Sequence, residues 1–164
     1  MATVLIAGLF GLVGTVLGTV LTTWTGRQAA ERSHREALVE TQRKEYRSAV
    51  IRFSSALLAC RVAEMDRWHA RNGSEEGERA ARRNTHETRA AMWDACYELE
   101  LSSNSQTLNE LARDIANKVY GIHDAETLDG MNGRSYQVRN DLFKMIAMAR
   151  VEMPGRPEFQ DLTS

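Results

Sequence analysis

The residues best able to do chemistry in this chain are four histidines, His34, His69, His86 and His123. Glu31-x-x-His34 and Asp66-x-x-His69 have the i,i+3 spacing used by carboxylate-bridged di-metal centres in helical bundles, where one turn puts both ligands on one face. Such a centre needs two of these motifs on facing helices. These two fall on one helix, about 52 Å apart by its rise, so no metal is expected. HExxH, a Gly-rich phosphate loop, paired CxxC and GxSxG do not occur in the sequence. Asp66, Trp68 and His69 form the tightest polar knot, beside a turn where polar residues belong in any case. No catalytic residue and no cofactor is assigned, and the chain is expected not to be an enzyme. The rival reading, an unfamiliar enzyme, would need an inward cluster of ionisable groups.

The remaining distinctive side chains read as structure. Cys60 and Cys96 occupy apolar seams and behave as small buried hydrophobes, reduced in a cytoplasmic domain. With the domain on the oxidising side, a bridge between adjacent antiparallel helices becomes plausible. Trp68 and Trp93, with Met65 and Met92 nearby, fit a packed core; the alternative is a partner surface. Arg79, Arg82, Arg83 and Arg89 read as a solvated face paired with Glu75, Glu76 and Glu87. Nucleic-acid binding is not expected, because it needs a concentrated basic face.

The elements that hold these residues begin with a segment that carries no charge. Residues 2–24 have no acidic or basic side chain, and residues 25–164 hold all 21 basic and 22 acidic ones. That split argues against a purely soluble protein, a polytopic channel and a disordered chain. Twenty-three apolar residues reach about 35 Å as a helix, enough to cross a hydrocarbon core of about 30 Å. No basic residue precedes the apolar run, unlike a secretory signal. Arg27, Arg32, Arg35, Arg43, Lys44 and Arg47 follow it. The positive-inside rule therefore predicts a single-pass cell-membrane protein, N-terminus outside and main domain in the cytoplasm. Gly11, Gly14, Gly18 and Thr22 form a small-residue stripe, and Gly14-x-x-x-Gly18 allows close approach of two backbones, so the span is expected to self-associate.

Past the span the chain reads as helix. Residues 27–71 contain no proline and no glycine. Their first part is a solvated stalk, and an apolar seam begins at Tyr46 and runs through Val50, Phe53, Leu57 and Cys60. Asn72-Gly73-Ser74 is a turn, with Ser74 as a helix cap. A second helix is predicted over about 75–102. A third follows Ser103-Asn104-Ser105, where Ser103-x-x-Gln106 and Thr107-x-x-Glu110 both fit a capping box. Residues 124–133 read as a polar loop, and a last helix over about 134–153 ends at Pro154-Gly155. The fold expected is all-α: an N-terminal transmembrane helix (2–24) continuous with a long helix whose juxtamembrane stalk is 25–45. A cytoplasmic antiparallel bundle of about four helices (46–153) and a flexible tail (154–164) follow. The juxtamembrane excess of basic residues suits anionic lipid headgroups.

This layout resembles small actinobacterial membrane proteins related to the KilB-type plasmid spread protein. The likeness rests on the Gly/Thr/Val-rich span, the stretch Thr25-Gly-Arg-Gln-Ala-Ala-Glu-Arg32, and the passages Met65-Asp66-Arg67-Trp68 and Arg89-Ala90-Ala91-Met92-Trp93. The resemblance implies a role in plasmid transfer or spreading, beside a membrane DNA translocase, with no catalytic residues to carry over. The expected function is therefore a non-enzymatic, homo-oligomeric membrane protein whose bundle docks a protein partner. The alternative is a holin-like or toxin-like protein whose spans assemble into a lesion.

Overall fold

The computed structural model describes the backbone of residues 2–153 and the side chains of residues 33–153. The expected span at 2–24, with Gly11, Gly14, Gly18 and Thr22, lies outside the described side chains, and so does the 154–164 tail. Among the described residues no helix is long and apolar enough to cross a membrane.

Among the described residues there are four helices: α1 (Ala2–Ala70), α2 (Glu75–Ser102), α3 (Gln106–Tyr120) and α4 (Leu128–Val151). The chain divides into two compact units at Thr41/Gln42. In the first, Leu38 and Val39 are exposed and Thr41 donates back to the Ala37 carbonyl at 2.9 Å. The second unit is a bundle of four packed helices.

Side-chain bonds give the bundle topology. Arg52 pairs with Glu98, and Thr85 bonds the Ala63 carbonyl, so α2 runs antiparallel to α1. Glu100 pairs with Arg113, and Trp93 bonds Tyr120, so α3 reverses against α2. Lys118 meets Asp141, and Arg134 bonds the Gly121 carbonyl, so α4 reverses against α3. Tyr46 donates to the Ala149 carbonyl at 3.3 Å, and Arg61 to Ser135 at 2.6 Å, closing α4 back on α1. This up-down-up-down order follows from short turns, which leave consecutive helices no neighbour but each other.

The seams read from the sequence form the core. Tyr46, Phe53, Leu57 and Cys60 of α1 are buried, as are Met92, Cys96 and Leu99 of α2. Leu108, Ile115, Val119 and Ile122 follow at α3 and its end, and Val138, Leu142 and Ala149 on α4. Helix ends have local causes. Ser74 accepts from the Gly77 N–H at 3.1 Å, and Glu75, Glu76 and Glu78 occupy the positive end of α2. At α3 neither expected capping box forms: Ser105 is the cap, bonding the Leu108 N–H at 3.2 Å.

The polar loop expected over 124–133 is shorter than that. Helix α4 begins at Leu128, capped by Thr127, whose hydroxyl accepts from the Gly130 N–H at 3.1 Å. Asp129 favours the first turn, and Met131, fully buried, anchors it in the core. Burial of one methionine outweighs the poor helix propensity of Gly130 and Gly133, each worth about 1 kcal/mol.

Candidate functional site

The bundle interior carries charge. Glu64 on α1 has 0% of its surface exposed. Its Oε1 accepts from Arg89 Nε of α2 at 2.5 Å, and its Oε2 lies 2.8 Å from Nδ1 of His123, in the turn after α3. The second approach lacks the alignment of a hydrogen bond, so it works through charge when the imidazole is protonated. His123 Nε2 faces Asp124 at 3.1 Å. The Arg89 guanidinium also lies over the Tyr120 ring, 4.4 Å from its centroid, and Tyr120 receives the Trp93 indole N–H. Three helices and a turn are thus tied at one point. A buried carboxylate is tolerable only with such partners.

This is the inward ionisable cluster that an enzyme reading would require. Its carboxylate is sealed from solvent, with Oε1 bonded to a guanidinium and Oε2 facing an imidazole. Its chemistry is that of a tie between helices. The arginine row on α2 divides accordingly. Arg79 and Arg82 make surface pairs with Glu75 and Glu78, whereas Arg89 turns inward to Glu64. Spacing on α2 alone could not show this, because the partner comes from another helix.

Two further polar ties lie between helices. Arg61 holds Ser135, whose hydroxyl also reaches Met65 Sδ at 3.2 Å. Asp141, 7% exposed, accepts from Lys118 at 3.0 Å and Lys144 at 2.9 Å. Lys144 and then Lys118 hold its carboxyl below the usual carboxylate range.

The residues singled out from the sequence are placed as follows. His34, Asp66 and His69 are exposed, and Glu31 lies outside the described side chains. Among the described residues no group of three or more His, Cys, Asp and Glu side chains is placed to hold a metal. Cys60 and Cys96 are buried free thiols. Burial, aided by nearby Glu64, pushes Cys60 up to about 11, and burial with Glu100 pushes Cys96 up to about 12. Trp68 and Trp93 are half-buried against the core. The Trp68 indole donates to the Ala125 carbonyl at 2.7 Å, which Arg71 also reaches at 3.1 Å.

The surface of the bundle offers a groove between α1 and α4. It encloses about 350 Å³, with Val50, Ile51, Ile146 and Met153 as apolar walls and Arg47 and Arg150 beside them. Beyond it Leu58 and Val62 of α1 and Tyr136 and Phe143 of α4 are exposed. On α2 the exposed apolar residues are Tyr97 and Leu101, the latter 90% exposed.

The family model for KilB plasmid transfer protein matches residues 47–153. The chain belongs to the KilB family. The match starts one residue after Tyr46, where the α1 core seam begins, and ends at Met153, just past α4. What the KilB model recognises is therefore the helical bundle, and the protein is a plasmid transfer protein by family. No curated protein and no solved structure matches the chain.

Proposed function

We propose that this KilB-family protein is a non-enzymatic, single-pass membrane protein that self-associates and docks a protein partner through a cytoplasmic bundle during plasmid transfer or spreading. The observation that carries the reading is the family match over the whole bundle, with the bundle's buried charges paired to each other. A domain whose polar interior is spent on holding helices together acts through its surface. The charge-free run at 2–24 and the arginines behind it support the membrane placement. A membrane DNA translocase is the partner class that the family's role in plasmid transfer suggests.

Membrane fractionation of the full chain, with protease protection in intact cells, tests the placement. Retention in membranes after carbonate washing and protection of a C-terminal tag are expected. A freely soluble chain, or a tag cleaved from outside, would defeat it. Crosslinking in donor cells, followed by identification of captured proteins other than this chain itself, tests the docking role. Rapid membrane depolarisation on induced expression would favour the lesion-forming alternative instead.

A further inference from the structure

The charges of the bundle are segregated. From Gln42 to Ala70, α1 carries six basic and three acidic side chains, and α4 carries four and two. Helix α2 carries four basic and seven acidic ones. The α1/α4 side is therefore basic, and α2 is acidic. Two basic faces repel, which disfavours a symmetric contact of this side with itself. A basic side does suit the acidic ridge of another copy.

The apolar residues follow the same division and share a register. The Arg52–Glu98 pair on antiparallel helices puts Leu101 at the level of about residue 49 of α1, and Asp94 at about residue 56. The Tyr46–Ala149 and Arg61–Ser135 bonds put Ile146 and Arg139 of α4 at about those same two levels. Leu101 of one copy, standing beside another in the same orientation, is thus level with the groove walled by Ile51 and Ile146. Asp94 is then level with Arg139. Among the described residues neither Asp94 nor Arg139 makes an ion pair, Arg139 lying instead over the Tyr136 ring.

We propose that the Asp94–Leu101 ridge of α2 docks into the α1/α4 groove of a second copy of this chain, so that bundles associate head to tail. The inference rests on the self-association reading, and adds a contact of the bundle to the one expected of the span. A contact between two different faces generates rings or open arrays rather than a closed pair.

Cysteine crosslinking of the full chain in vesicles tests it. Chains carrying Leu101→Cys are mixed with chains carrying Ile146→Cys and treated with a short bismaleimide. Native Cys60 and Cys96 are buried and serve as internal silent sites. A 101–146 crosslink in clear excess over 101–101 and 146–146 is expected. Asp94→Arg in the first chain should abolish it, and Arg139→Glu in the second chain should restore it. Leu101 and Asp94 are exposed, so circular dichroism of these variants should stay unchanged. Equal amounts of all three crosslinks, or no response to the charge reversals, would overturn head-to-tail docking while leaving self-association standing. No crosslinks of any kind would overturn the docking of bundles and leave the association of the spans standing. A crosslink that tracks anionic lipid content and ignores Asp94→Arg would assign the basic side to the membrane surface and overturn the proposal.

Discussion

Arg89 Nε lies 2.5 Å from Oε1 of a Glu64 side chain that is wholly out of water. The pair joins α1 to α2, and His123 brings in the turn that follows α3. Removing one charge from such a pair costs far more than removing both, because the survivor is left desolvated.

Arg89→Met should therefore destabilise the fold by about 3–5 kcal/mol. The double variant Glu64→Leu/Arg89→Met should recover most of that loss. Thermal unfolding of the full chain in detergent, followed by circular dichroism, measures both. A double variant no better than the single one would show that the pair is not what the arginine contributes.

The buried thiols set a limit at high pH. Cys60, Cys96 and the Tyr46 phenol are each raised, chiefly by burial, from ordinary values of 9.0, 9.0 and 10.0 to about 11, 12 and 12. A raised group stabilises the fold fully below its unfolded value and loses that contribution as pH climbs to the folded one. Stability should thus decline between pH 9 and pH 12, and less steeply in Cys60→Ala/Cys96→Ala. Maleimide labelling of both thiols at pH 8 should require denaturant.

At low pH the sign reverses. Lys144 and Lys118 lower the Asp141 carboxyl, and Arg113 lowers that of Glu100. Their contribution is present above the ordinary carboxylate value and lost as pH falls through the lowered one. Unfolding midpoints should hold steady above about pH 5 and drop below about pH 4. Asp141→Asn should flatten part of that drop. An acid limb identical in the variant would remove Asp141 from the account.

The start of α4 can be strengthened. A Cβ at Gly133 meets nothing within 4 Å, whereas one at Gly130 comes within 3.2 Å of the Thr127 hydroxyl that caps the helix. Gly133→Ala should stabilise by about 0.5–1 kcal/mol. Gly130→Ala should gain less, and Thr127→Ala should cost about 1 kcal/mol. Denaturant midpoints would rank the three.

Periodicity in the chain already contains the helical class, the seams and most helix ends. Phe53, Leu57, Met92, Ile115 and Val138 repeat at helical spacing because each must return to the same side every turn. Ser74 is legible because capping is local. The run at 2–24 carries no charged side chain in the sequence itself, so the expectation of a span there needs no neighbour. The start of α4 is not legible in this way. Gly130 and Gly133 oppose a helix locally, and only the place of Met131 in the core overrides them. The Glu64–Arg89–His123 tie is likewise invisible along the chain. Its members are separated by 25 and 34 residues, and on its own helix each charge looks like a solvated one. Tertiary packing decided which arginine turned inward, and it aligned the acidic ridge with the basic groove. Coulomb attraction and desolvation act through space, while sequence spacing records only what one helix presents to its own face.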